Sequence, residues 1–117
     1  ADAISHATCA LSIDVDAKAI VVFSTSGITA RMVSRFRSPI DIIGLTTVEK
    51  TWHRVSLSWG VTPALCAHCA STEEMTEQAK QIAKSLFKLK EGDKIIITCG
   101  TPGGKPGSTN QIRVEEI

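Results

Sequence analysis

The stretch Ala19-Ile20-Val21-Val22-Phe23-Ser24-Thr25-Ser26-Gly27-Ile28-Thr29-Ala30-Arg31 decides the fold. Its first five residues form an unbroken apolar run of β-formers, the pattern of a strand covered on both faces of a parallel sheet. Ser24-Thr25-Ser26-Gly27 follows at once. Gly27 permits a tight turn with positive φ. From Ile28 onward, through Ala30, Arg31, Met32 and Val33, the pattern is helical. Strand, hydroxyl-rich loop and helix in this order aim backbone N–H groups and hydroxyls at one spot, at the positive end of a helix dipole. Such a spot suits a phosphate or another anion. Two readings stand side by side at this point. Ser24, Thr25, Ser26, Gly27, Ile28 and Thr29 form an anion site, or Ser26 or Thr29 simply caps the helix. The loop is neither a GK[ST] phosphate loop nor a GxGxxG fingerprint.

Outward from this stretch, helical and strand patterns alternate. Ile4, Ala7, Leu11 and Val15 fall near one face of a first helix. After the central loop, Met32, Val33 and Phe36 mark a helix that Ser38-Pro39 stops. Residues 40–45 read as a second strand, and Thr46-Thr47 precede a helix from about Glu49. Trp52, Val55 and Trp59 share its inner face, with Gly60 as terminator. Residues 61–66 form a third strand, which Pro63 places at an edge or a strand end. The longest helix starts near Thr72, after Ser71. It carries Met75, Ala79, Ile82, Ala83, Leu86 and Phe87 inward, and Glu77, Lys80, Gln81, Lys84 and Lys88 as solvated charge. Glu91-Gly92-Asp93 is a turn, residues 94–98 a fourth strand, and 100–107 an irregular loop rich in Gly and Pro. Residues 110–116 form a fifth strand.

Strands separated by helices imply a parallel sheet with right-handed crossovers. The fifth strand follows the fourth without a helix, so it is antiparallel and at an edge. The expectation is one α/β domain over 1–117, a three-layer α/β/α sandwich with a five-stranded, mostly parallel sheet. Ligands of such sheets bind at the carboxyl ends of the strands, near the reversal of strand order. The loops at 24–27, 46–47 and 100–107 all sit at such ends.

Composition narrows the function classes. The chain has 117 residues and a net charge of +1, with 13 basic and 12 acidic residues and no tyrosine. A basic surface interleaved with aromatics is absent, which argues against nucleic acid as partner. No apolar run approaches the ~20 residues of a membrane span, and no signal-peptide pattern opens the chain. The start at Ala1, inside a helical pattern, predicts a piece of a longer protein. Cys9 on a helix and Cys99 at a strand end read as buried reduced thiols, which favours the cytoplasm. Cys66-Ala67-His68-Cys69 offers a redox or half-zinc motif. A structural zinc site needs a second ligand pair, and the sequence has none at suitable spacing.

Taken together, AIVVFSTSGITARMVSRFRSPIDIIGLT (19–46), WGVTP (59–63), KLKEGDKIIITCG (88–100) and GSTNQIRVEEI (107–117) resemble the C-terminal domain of pyruvate kinases, in that family's order and spacing. The resemblance implies a parent enzyme that transfers phosphate from phosphoenolpyruvate to ADP, giving pyruvate and ATP in glycolysis. Its catalytic residues, Mg²⁺ and K⁺ would lie in a separate barrel, so no catalytic residue, metal site or cofactor is expected on this chain. It further implies an allosteric effector site, with the 24–29 loop gripping a phosphate. Gly103, Gly104, Lys105 and Gly107 would belong to a segment that closes over the effector. Members that bind fructose 1,6-bisphosphate hold the second phosphate with an Arg and a Trp. Counted back from Gly92-Asp93, the Arg position falls at Met75 and the Trp position near His68. A thioether cannot replace a guanidinium on phosphate. A sugar monophosphate such as ribose 5-phosphate or glucose 6-phosphate, or AMP, is therefore the expected ligand. Lys105 or Arg54 would offer a compensating charge. The family is usually a homotetramer that joins C-terminal domains, and the 110–116 edge carries Arg113, Glu115 and Glu116 as guards. The alternatives are a structural, oligomerising domain without ligand, and a CxxC redox or metal protein.

Overall fold

A computed structural model describes residues 2–23, 28–36, 39–55, 60–66, 71–99 and 111–117. Nine elements follow in order: α1 (Asp2–Asp14), β1 (Ala19–Phe23), α2 (Ile28–Arg35), β2 (Asp41–Thr46), α3 (Glu49–Val55), β3 (Val61–Leu65), α4 (Thr72–Phe87), β4 (Lys94–Cys99) and β5 (Gln111–Glu116). The five strands form one sheet in the order β3-β2-β1-β4-β5. The β1–β2, β1–β4 and β2–β3 pairs are parallel, and β4–β5 is antiparallel. The expected α/β/α sandwich with one antiparallel edge strand is the observed fold.

The apolar run that opens β1 explains its place. Ala19, Ile20, Val21 and Val22 are fully buried, and only the centre of a doubly covered sheet hides both sides of a strand. Alternation sends Ile20 and Val22 to one face, with Cys9 of α1, Ala30 and Val33 of α2 and Val55 of α3. It sends Ala19 and Val21 to the other, with Met75, Ala79 and Ala83 of α4. Each buried Val or Ile contributes roughly 1.5–3 kcal/mol.

The split of helices follows from handedness. The path β1–α2–β2–α3–β3 steps outward with its helices on the first face. The chain must then return past β1 to start β4. A right-handed crossover in the reverse direction puts its helix, α4, on the second face. Ser71 caps α4 at its amino end, its hydroxyl accepting from the Glu74 N–H at 3.2 Å. Lys88, left-handed at φ 52°, ends it. The turn into β4 is tied by Asp93, whose carboxylate accepts from the Lys90 N–H at 2.9 Å, with Gly92 at φ 93°.

Several helix faces differ from the periodic reading. On α1 the residues driven inward are Ser5, Thr8, Cys9 and Ser12, while Ala7 is exposed and Leu11 and Val15 are half-buried. Three hydroxyls can face the sheet because each is hydrogen-bonded. Thr8 donates to the Ile4 carbonyl at 2.7 Å and lies 3.0 Å from the Thr98 hydroxyl of β4. Ser12 donates to the Cys9 carbonyl at 2.7 Å; Ser5 is hydrogen-bonded as well. On α3, Thr51 and Val55 are buried, whereas Trp52 is half-buried, edge-on to His53. Trp59 lies outside the described residues. On α4, Leu86 is 45% exposed and the core is carried by Met75, Ala79 and Ala83. Lys80, expected as solvated charge, pairs with Glu115 at 3.3 Å.

Pro63 lies on the edge strand β3, as its missing N–H requires. Its neighbours Thr62, Ala64 and Cys66 are the residues whose amides face β2, as the Cys66 N–H to Thr46 carbonyl bond at 3.0 Å shows. Pro63 thus occupies an outward position, where no ladder bond is lost. Gly44, on β2, is required by packing. A Cβ there would stand 2.5 Å from Val55 Cγ1 and 3.2 Å from Val61 Cγ1. Gly44→Ala is expected to destabilise the domain by about 1–3 kcal/mol in urea unfolding, because α3 must lift from the sheet. Adding Val55→Ala should cost less than the two single changes summed. Additive losses, or a neutral Gly44→Ala, would contradict this packing.

Candidate functional site at the carboxyl ends of β1 and β4

The strand order reverses at β1. The chain moves from β1 to β2 on one side, and β4 lies on the other. The carboxyl ends of β1, at Phe23, and of β4, at Cys99, are therefore neighbours from which the chain departs in opposite directions. This is where open α/β sheets form a ligand crevice. The segment 24–27 joins Phe23 to α2, and 100–110 joins Cys99 to β5, so both leave from this rim. The amino end of α4 comes to the same end of the sheet, since α4 runs antiparallel to the strands that it connects.

Ser24, Thr25, Ser26, Gly27, Gly103, Gly104, Lys105 and Gly107 lie outside the described residues, as do the side chains of Ile28 and Thr29. The elements that anchor them are described. Val22 and Thr98, paired across β1 and β4, are fully buried just below the rim. Ala30, in the first turn of α2, is fully buried against the sheet. The loop between β1 and α2 thus departs from and returns to fixed points. The α2 first turn carries no acidic residue, so nothing in it opposes an anion at its amino end.

Thr46 ends β2 with its hydroxyl accepting from the Val48 N–H at 3.1 Å. That hydroxyl shapes the turn into α3, one strand away from the β1–β4 crevice. Arg54 stands exposed near the last turn of α3, toward the opposite end of the sheet. That position is away from the carboxyl ends of β1 and β4, so Arg54 is not placed to offer a compensating charge there. Met75 is 8% exposed and sits in the second-face core. The first turn of α4 shows Glu73 and Glu74 to solvent instead.

Periodicity did not reveal the charges of the second face. Arg113 and Glu115 project from β5 on the α4 side, 3.4 Å apart, with Lys80 on Glu115. Strand alternation alone could have placed both on one face; their partner on α4 could not be foreseen.

Cys9 and Cys99 are buried thiols. Burial pushes both above the ordinary thiol range, and the Arg113 charge partly offsets this for Cys99. Cys66 is half-buried at the end of β3. His68 and Cys69 lie outside the described residues. Among the described residues no cluster of His, Cys, Asp or Glu is arranged to hold a metal, and no helix is long and apolar enough to cross a membrane.

Comparison with known proteins agrees with this architecture. The family model described as pyruvate kinase, alpha/beta domain, matches residues 2–115. The chain belongs to this family. A pyruvate kinase of Lactobacillus delbrueckii subsp. bulgaricus is 36% identical over 116 residues, 99% of this chain and 20% of the relative. One from Staphylococcus aureus strain USA300 is 40% identical over 114 residues, 97% of this chain and 19% of the relative. One from Clostridium acetobutylicum is 32% identical over 116 residues, 99% of this chain and 24% of the relative. The chain therefore spans about a fifth to a quarter of the length of the relatives it matches.

Within this pyruvate kinase alpha/beta domain, thiol reactivity should follow burial. Native iodoacetamide labelling at pH 8, read by peptide mass spectrometry, is expected to modify Cys66 well before Cys9 and Cys99. Labelling of Cys99 at the rate of Cys66 would contradict the closed second face.

Proposed function

We propose that this domain is the regulatory part of a pyruvate kinase, and that it binds a phosphorylated metabolite at the crevice between β1 and β4. The parent chain would transfer phosphate from phosphoenolpyruvate to ADP in the cytoplasm. Its catalytic groups, Mg²⁺ and K⁺ would reside on a separate barrel, leaving this domain without catalytic residues. Ser24, Thr25, Ser26, Gly27, Ile28 and Thr29 would hold the phosphate through hydroxyls and backbone N–H groups, which donate along its lone pairs. Gly103, Gly104, Lys105 and Gly107 would close over it. The observation that carries the reading is the reversal of strand order at β1. It brings the ends of β1 and β4 together, so the hydroxyl loop and the glycine-rich segment start from one rim.

Met75 favours a monophosphate over a bisphosphate. It is committed to the core, and the exposed Glu73 and Glu74 beside it repel a second phosphate. Ribose 5-phosphate, glucose 6-phosphate and AMP are the candidate ligands. Assembly with further copies would use the β5 edge, where Val114 is 43% exposed and Arg113, Glu115 and Glu116 guard against indiscriminate pairing. A domain that only assembles, with no ligand, is the competing reading.

A thermal-shift screen separates these readings. Ribose 5-phosphate, glucose 6-phosphate, AMP, fructose 1,6-bisphosphate and inorganic phosphate would each be added to the domain. A monophosphate is expected to raise Tm in a concentration-dependent way, and fructose 1,6-bisphosphate less so. Ser26→Ala should leave Tm without ligand unchanged and weaken binding by about 1–2 kcal/mol, the scale of a hydrogen bond to a charged group. No shift with any compound would favour the ligand-free reading.

A further inference from the structure

The two edges of the sheet differ. On β3, Pro63 removes a donor from the outer side; β5 has no proline. Which groups of β5 point outward follows from its end. The Ile117 N–H donates to the Asp93 carbonyl at 2.8 Å, and the Ile117 carbonyl accepts from the Gly92 N–H at 3.3 Å. Ile117 thus bonds toward β4, and by alternation so do Glu115, Arg113 and Gln111. The N–H and C=O groups of Ile112, Val114 and Glu116 point away from β4. Val114 and Glu116 are exposed, while Ile112 is half-buried against the first-face core. The sheet contacts of α1 lie mostly on β4, and those of α4 on β4 and β1. No described helix covers the outer side of β5.

A bare ladder edge is a template for another strand. A second copy of this chain brings the same edge, and two such edges close antiparallel about a two-fold axis. The charges of β5 select one register for that pairing. Centred on Val114, the strand sets Val114 against the partner's Val114 as a hydrogen-bonded pair. Ile112 then pairs with the partner's Glu116, and Glu116 with the partner's Ile112. Arg113 stands opposite the partner's Glu115, and Glu115 opposite the partner's Arg113. These are non-hydrogen-bonded positions, where opposite side chains approach more closely. The neighbouring registers that keep the outward groups paired centre on Arg113 or on Glu115. The first sets two guanidinium groups face to face, and the second sets two carboxylates face to face, so like charges disfavour both.

The contacts within one copy suit this arrangement. Arg113 Nη2 lies 3.4 Å from Glu115 Oε2, with the side chains 37% and 21% exposed. That is longer than a good charge-assisted bond. Lys80 of α4 holds the other oxygen, Glu115 Oε1, at 3.3 Å. Pairing places each guanidinium between two carboxylates, so the ion pair is shared between the copies rather than broken.

We infer that β5 is a self-pairing edge: two copies join antiparallel about Val114, and reciprocal Arg113–Glu115 ion pairs fix that register. This rests on the proposed use of the β5 edge for assembly. Val114 supplies the apolar centre, and the charges beside it reject strands of the wrong pattern.

Sedimentation equilibrium of the chain over a concentration series tests the register. Arg113→Glu and Glu115→Arg should each raise the dimer dissociation constant by about tenfold, because each sets like charges opposite one another. An equimolar mixture of the two variants should associate within about threefold of the unsubstituted chain, since every charge again meets its opposite. Both side chains are part-exposed, so each variant should keep its fold, which thermal melts check. Val114→Pro removes an outward N–H and leaves the ladder to β4 intact; it should abolish pairing. Loss of pairing in Val114→Pro without recovery in the mixture overturns the register and leaves the use of the edge standing. Association unchanged by Val114→Pro, or a chain that stays monomeric throughout the series, overturns both.

Discussion

The burial of β1 on both faces is the constraint from which the rest of the structure follows. Ala19 through Val22 show no surface to solvent, so this strand must have sheet neighbours on both sides and helices on both faces. One neighbour is reached by the short outward path through α2. The other can be reached only after the chain has gone out to β3 and returned. The fixed hand of the crossover then sends α4 to the face that α1, α2 and α3 leave open. Strand order, layer arrangement and the reversal at β1 are one consequence of a single apolar pentapeptide. The crevice comes with it, because the two strands that meet there send their connections apart.

The packing around that centre uses two different devices. On the α4 face the fit is apolar, with Met75, Ala79 and Ala83 against Val21, Ile43, Leu45, Ile95 and Ile97. On the α1 face a seam of hydroxyls replaces bulk. Thr8 and Thr98 lie 3.0 Å apart in the interior, and such a pair is satisfied in one register only. A slide of α1 along β4 would take this partner from the buried Thr98 hydroxyl, at about 1–3 kcal/mol, while Thr8 keeps its bond to the Ile4 carbonyl. Specificity of docking, rather than buried area, is what this seam adds. The sheet edges are handled differently again. Pro63 removes a donor from the outer side of β3, and a charged row on β5 discourages indiscriminate pairing.

The strands and the antiparallel edge position of β5 were legible in the sequence because they rest on short, strong signals; the strand order came from the structure. The runs at Ala19–Phe23 and Lys94–Cys99, the punctuation by Gly60 and Gly92, and the missing N–H of Pro63 act locally. The pyruvate kinase resemblance was legible for the same reason, since its motifs fall on strand ends and loops. Helix faces were less so. The periodicity of Ile4, Ala7, Leu11 and Val15 pointed to an apolar face on α1, yet Ser5, Thr8 and Ser12 are buried. A hydroxyl that donates within its own helix, or to Thr98 ninety residues away, carries no period. Trp52 was drawn outward by the buried Thr51 and Val55, and Lys80 found Glu115 across the sheet; both depend on tertiary neighbours. Of the candidate site, the sequence offered the donor loop. The structure adds the rim on which it is mounted and the loss of Met75 to the core.

The most direct test of the account is a ¹H–¹⁵N NMR titration of the domain with ribose 5-phosphate. The account predicts saturable shifts concentrated on Phe23, on the first turn of α2 and on Thr98 and Cys99, with those of α3 and of the Lys88–Asp93 turn unmoved. Saturable shifts centred instead on the β3 edge or on the amino ends of the strands would contradict it, as would a spectrum that does not change.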